Sequence, residues 1–186
     1  MRIIAGTARS LPLKTIPGLA TRPTTDKIKE TLFNMMQADI PGCQFLDLFA
    51  GSGQIGLEAL SRGAKCAVFV DNSRAAVSCI KENIAFTKFT DRSRVIQADA
   101  RSAMLQLEGH MKFDIIFMDP PYNQGYEKGV LESLSRSSLL AEDGFIVVEA
   151  SQETEFSYLE LMGYEIIKVK NYRSNCHVYI RKREAS

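Results

Sequence analysis

Histidine is scarce in these 186 residues, with His110 and His177 the only two. The four cysteines, Cys43, Cys66, Cys79 and Cys176, are scattered and form no C-x-x-C pair. So few imidazoles and no clustered thiols argue against a metal site, and leave Ser-His-Asp or Cys-His chemistry little to work with. A chain of this length needs no disulfides to fold, so the thiols read as reduced. No stretch approaches the ~20 consecutive apolar residues of a membrane helix. The opening MRIIAGTARSLPLK has too short an apolar run for a secretory signal, because Arg2 and Arg9 bracket it. A soluble, cytoplasmic protein without membrane contact is expected. With 45% apolar and 24% charged residues, the composition excludes wholesale disorder and collagen-like repetition. The length suits a single domain with a short appendage.

The net charge of +1 hides an uneven distribution. Residues 1–30 carry Arg2, Arg9, Lys14, Arg22, Lys27 and Lys29 against Asp26 and Glu30, a net of +4. Residues 166–183 carry Lys168, Lys170, Arg173, Arg181, Lys182 and Arg183 with no acid, a net of +6. The body between is acidic. Two basic ends on an acidic body suit a polyanion docked on one face, although lysine and arginine near termini also serve solubility alone.

From residue 44 onward, strands alternate with helices. QFLDLFA (44–50), CAVFVD (66–71), RVIQAD (94–99), FDIIFMD (113–119) and GFIVVEA (144–150) read as buried strands. Helices are expected over 55–63, 73–86 with Ser73 as N-cap, 101–108, 126–140 and 153–162. Residues 164–172 and 176–183 read as a closing hairpin. Such alternation implies an α/β fold with a mostly parallel sheet covered by helices on both faces, the hairpin adding an antiparallel strand. Residues 1–43 contain Pro12, Pro17, Pro23 and Pro41 and one helix candidate, 24–39. They read as an N-terminal extension packed on a core of residues 44–186.

In an open parallel sheet, ligands bind beyond the carboxyl ends of the strands. Those ends carry Asp47 with Gly51-Ser52-Gly53, then Asp71, Asp99 and Asp119-Pro120-Pro121-Tyr122. A single aspartate there is most simply a cap for the following helix; four together point to a site. GSGQIG (51–56) matches the dinucleotide pattern G-x-G-x-x-G, with Asp71 near the spacing of a ribose-binding acid. Asp47 argues against a pyrophosphate at this turn, since its charge would repel one. It favours S-adenosyl-L-methionine, which has no phosphate and a cationic head, with Asp71 for the ribose and Asp99 for the adenine amino group. Phe49, Asn72 and Ala100 flank these residues and join the expected cofactor-binding set. An NAD-dependent oxidoreductase is the weaker reading of the same motif.

The tetrad Asp119-Pro120-Pro121-Tyr122 suggests the chemistry. Proline fixes φ and supplies no N–H, so the turn is rigid and presents carbonyls. The Asp119 carboxylate and Pro120 carbonyl can accept both hydrogens of a planar exocyclic amine and aim its lone pair at a methyl carbon. Tyr122 can stack on the base, worth roughly 1–3 kcal/mol. The bland alternative is a proline turn with Tyr122 as packing.

DLFAGSG, the strand-end aspartates and DPPY together resemble the class I S-adenosylmethionine-dependent methyltransferases. MRIIAG, RPTTDKIKETLFN (22–34), LDLFAGSGQIGLEALSRGA (46–64) and MDPPY (118–122) resemble the RsmD family more closely, over nearly the whole chain. The resemblance implies a Rossmann-like fold with a seven-stranded sheet and methylation of a guanine N2 in bacterial 16S ribosomal RNA, free or within the small subunit. It implies that Arg22, Thr24, Thr25 and Asp26 lie near the cofactor or RNA. Thr24 is taken as a cofactor contact, and Arg2, Arg9, Arg22, Lys170 and Arg173 as RNA contacts. The segment Lys170-Asn171-Tyr172-Arg173-Ser174-Asn175-Cys176 departs from the family in lacking a glycine turn. Asn175 can tolerate a left-handed turn conformation, so the hairpin is expected to survive. A monomer is expected. The rival functions are a DNA adenine-N6 methyltransferase and a non-catalytic, cofactor-binding ribosome-assembly factor.

Overall fold

The computed structural model describes residues 1–17 and 25–184. Its strands are β1 Gln44–Asp47, β2 Cys66–Asp71, β3 Ser93–Gln97, β4 Phe113–Met118, β5 Leu140–Ser151, β6 Tyr164–Asn171 and β7 Asn175–Lys182. They form one sheet in the order β3-β2-β1-β4-β5-β7-β6. The first five are parallel, and β7 runs antiparallel to both β5 and β6. The chain winds outward from β1 through β2 to β3, then restarts at β4 on the other side. The switch point therefore lies between β1 and β4, where a sheet of this type opens a ligand crevice.

Strand residues alternate between faces, and two cores result. Leu46, Val70, Ile116 and Val148 face Met104 and Leu107 of α4 (Ala100–Leu107) and Leu131 and Leu134 of α5 (Tyr126–Ser135). Phe45, Phe69, Phe117 and Val147 face the other way. There they meet Leu32 and Phe33 of α1 (Asp26–Met35), Leu57 and Leu60 of α2 (Gln54–Ser61), and Ile80 and Ile84 of α3 (Arg74–Thr87). The glycine at position 56 is required by this packing, since a Cβ there would lie 2.4 Å from the Phe69 ring.

Residues 4–8 are tied to α2. Glu58, fully buried, accepts from the Ile4 and Ala5 amides at 2.9 and 3.0 Å and from Arg62 Nε at 2.8 Å. Lys29, also fully buried, stands 3.6 Å from Glu58 and donates to the Arg2 carbonyl. Gly6 has φ +84° and touches α2 so closely that a Cβ would fall 1.9 Å from the Ser61 carbonyl oxygen.

Several sequence expectations need correction. The helix expected over 126–140 stops at Ser135, and Leu140 already pairs with Phe113 at the start of a long, bulged β5. Gly144 permits the bulge, because a Cβ there would lie 2.9 Å from the Asp114 carbonyl oxygen. The helix expected over 153–162 is a series of turns ending in one 3-10 turn, Glu160–Met162. Its apolar residues Phe156, Tyr158, Leu159 and Met162 pack on the first core from that irregular backbone. The closing hairpin does form, without a left-handed Asn175: among the described non-glycine residues only Ser10, Lys88 and Asn123 have positive φ. Asn175 is instead the first residue of β7, its side chain donating to Glu149.

Candidate active site

Beyond the carboxyl ends of β1, β2, β4 and β5 lies a cavity of ≈ 1490 Å³. The strand registers explain which side chains meet there. Asp47 pairs with Phe69 and Phe117, and Phe117 with Val147. Two residues further along, alternation returns Asp71, Asp119 and Glu149 to the Phe117 face. Acids from four strands thus reach one crevice without a single long-range loop.

Asp47 is 1% exposed. Its Oδ1 accepts a long hydrogen bond from the Phe49 amide, 3.4 Å, while Oδ2 is buried without any partner. Burial raises its pKa to about 7, and the Asp71 carboxylate adds to the effect. An orphaned carboxylate oxygen lining a cavity is a strong demand for a donor or cation from a ligand. Asp71 holds the glycine turn from below, accepting from the Gly51 amide at 2.9 Å and from the Ser73 amide at 2.9 Å. Gly51 and Gly53 have φ of 56° and 83°, values that favour glycine and let the backbone turn sharply into α2. Phe49, Gly51, Ser52, Asn72 and Ala100 line the same cavity, whereas Gly53 lies beneath the turn against Phe69 and Ile80.

Asp99 also lines the cavity, and it caps α4. It accepts from the Ser102 amide at 3.0 Å and the Ser102 hydroxyl at 2.6 Å, and these bonds hold its carboxyl below the usual range. The cap and the site are therefore the same residue.

Asp119, Pro120, Pro121 and Tyr122 form the wall on the β4 side. Burial, then the carboxylates of Glu149 and Asp47, push the Asp119 pKa well above the ordinary carboxylate value. The Tyr122 hydroxyl donates to Glu149 Oε1 at 3.1 Å, and burial raises its pKa, keeping the phenol neutral. Tyr122 as a residue is 39% exposed and lines the cavity.

Glu149, Asn175, His177 and Tyr172 were missed as site residues, and they form one network behind Tyr122. Asn175 Nδ2 donates to Glu149 Oε1 at 2.7 Å, and His177 Nε2 meets Glu149 Oε2 at 3.0 Å. Tyr172 Oη meets His177 Nδ1 at 3.2 Å. The signal was available. GFIVVEA carries an acid, Glu149, next to its carboxyl end on a parallel strand, much as the aspartate strands do, and CHVYI places a histidine in an apolar run.

The proposed RNA contacts do not gather as the acids do. Arg173 lines the mouth of the cavity and Lys170 is exposed on β6 nearby. Arg9 is exposed on the N-terminal segment, and Arg2 is paired with Asp26 at 3.0 Å. Arg22 and Thr24 lie outside the described residues; Thr25 caps α1 and lines the cavity. Met1, Thr15 and Ile16 add an N-terminal wall that sequence reasoning did not assign.

The family model described as "Conserved hypothetical protein 95" matches residues 1–181. YlbH of Bacillus subtilis (strain 168) is 42% identical over 156 residues, covering 83% of this chain and 85% of its own. "Ribosomal RNA small subunit methyltransferase D" of Escherichia coli (strain K12) is 40% identical over 155 residues, covering 82% and 76%. The solved structure of yhhF from Escherichia coli superposes with a TM-score of 0.85 at 32% identity, covering 100% of this chain and 99% of that one. The chain thus belongs to the conserved hypothetical protein 95 family, the RsmD family of methyltransferases.

Proposed function

We propose that the protein transfers a methyl group from S-adenosyl-L-methionine to the exocyclic N2 of a guanine in small-subunit ribosomal RNA. The observation that carries this reading is the rigid Asp119-Pro120-Pro121-Tyr122 turn opening onto a cavity already lined by Asp47, Asp71 and Asp99. The donor set fits the cofactor. The unpartnered Asp47 Oδ2 calls for a cation, Asp71 and Asp99 offer acceptors for hydroxyl and amino hydrogens, and among the described residues no basic side chain stands at the glycine turn for a phosphate. When bound, the cofactor supplies an electrophilic methyl group on a sulfonium.

Everything else in the reaction falls to the chain's own side chains. An exocyclic amine conjugated to a purine is a poor nucleophile. Asp119 and the Pro120 carbonyl accept its two hydrogens, favour a tetrahedral nitrogen and hold the lone pair in line. The raised pKa of Asp119 makes it a competent acceptor for the proton the amine sheds once its nitrogen has formed the new bond. Tyr122 holds the base flat, its hydroxyl anchored on Glu149. A guanine within a helix has to leave its stack to reach this depth. Exposed Arg9, Lys170 and Arg173 would hold phosphates around the mouth, with Arg2 recruited only by giving up Asp26. The relatives' name supplies the RNA class, and that compartment is cytoplasmic; a monomer suffices, since every residue invoked lies on one chain. Wild-type and Asp119→Ala proteins incubated with small ribosomal subunits and methyl-labelled cofactor test the reading. Label should enter RNA with the wild type and not with the variant, and equal labelling by both would refute it.

A further inference from the structure

Asp119 and the Pro120 carbonyl treat the amino groups of guanine and adenine alike. The ring nitrogen beside the amine differs: N1 of guanine carries a hydrogen, and N1 of adenine is an acceptor. A residue that chooses between them must sit next to Asp119 and be locked as a donor or an acceptor.

Glu149 occupies that place. With Met118 opposite Val148 on parallel strands, Asp119 and Glu149 leave the sheet side by side, about 4.8 Å apart at the backbone. Alternation sends both to the Phe117 face. Glu149 is 5% exposed, yet it lines the cavity. Its Oε1 accepts from Tyr122 Oη and Asn175 Nδ2, which occupies both lone pairs. Its Oε2 meets only His177 Nε2, at 3.0 Å, and so retains an acceptor position. The Glu149 carboxylate calls for an Nε2–H on His177, and Tyr172 Oη on the far side of the ring, 3.2 Å from Nδ1, can donate to that other nitrogen. Three donors behind Glu149 hold it as an acceptor facing the space beside Asp119. Tyr122 alone needs one oxygen; the full network orients both.

We infer that Glu149 reads the N1–H of the target guanine and so selects guanine over adenine. This inference rests on the methyltransferase reading above. An adenine seated on Asp119 would set its N1 lone pair against the remaining acceptor position of Glu149 Oε2, and such mismatches with buried polar groups discriminate strongly.

The test replaces the methylated guanosine, in reconstituted small subunits, with 2-aminopurine riboside, which keeps the 2-amino group and lacks the N1 hydrogen. Single-turnover rates on the two substrates are compared for the wild type and Glu149→Gln. The ratio is internal to each protein, so a general loss of activity cancels. The wild type should prefer guanine by on the order of 10²-fold or more. In Glu149→Gln the amide can turn its N–H toward a bare N1, and the preference should fall to within about tenfold. An unchanged ratio in the variant would overturn the inference. Should the variant fail to fold, the wild type decides: equal rates on both bases would overturn it as well. Failure of the wild type to methylate any guanosine would instead sink the underlying functional reading, a result plainly distinct from equal rates.

Discussion

Asp47→Asn should make the cofactor-free protein more stable and the cofactor bind more weakly. Asp47 is 1% exposed, one of its oxygens has no partner, and its pKa stands at about 7 against an ordinary 3.8. Keeping it ionised at neutral pH therefore costs the folded state up to about 4 kcal/mol relative to the unfolded chain. Because the folded-state pKa is raised, the residue's favourable contribution is full below pH 3.8 and is lost as pH climbs to about 7. An amide in the same place still leaves a polar atom unpartnered, at about 1–3 kcal/mol, so the net gain expected at pH 7.5 is about 1–3 kcal/mol. At roughly 2–4 °C per kcal/mol for a chain of this size, thermal unfolding resolves it. The stability difference between variant and wild type should grow from about pH 4 to about pH 7 and then level off. Calorimetric titration should show cofactor affinity falling about 30-fold, equivalent to about 2 kcal/mol for removing one partner of a buried charge pair. A variant that is less stable than the wild type without cofactor, and binds it equally well, would refute the assignment of Asp47 as the cation-seeking group.

Other perturbations separate chemistry, RNA binding and folding. Asp119→Ala should lower the methyl-transfer rate by about 10²-fold or more while cofactor affinity, read by the same calorimetry, changes little. Lys170→Ala and Arg173→Ala should each flatten the dependence of log K on log salt for RNA binding by about one. Neither side chain has an ion-pair partner among the described residues, whereas Arg2→Ala should move that slope less because Asp26 already pairs with Arg2. Glu58→Ala strands a buried Lys29 and two backbone amides, and should lower stability to denaturant by about 3–5 kcal/mol.

The strand-end acids were legible because one rule, acids at the carboxyl ends of parallel strands, needs only local patterning. Glu149 obeys the same rule but is followed by two more residues of β5 rather than by a turn, so the local pattern does not mark it. Its partners Asn175, His177 and Tyr172 come from β7 and the turn before it, and only the antiparallel pairing of β5 with β7 brings them together. Charge was harder to read. Lys29 counts toward a basic N-terminus in sequence, but burial beside Glu58 removes it from the surface and lowers its pKa. The apolar spacing at 156, 159 and 162 imitates a helix, and the turns there satisfy the same burial without one.

The most direct measurement is the identity of the methylated nucleoside. Small subunits from a strain lacking this gene are incubated with the protein and methyl-labelled S-adenosyl-L-methionine, and their RNA is digested to nucleosides. The account predicts label in N2-methylguanosine alone; label in methyladenosine, or none in RNA, would contradict it.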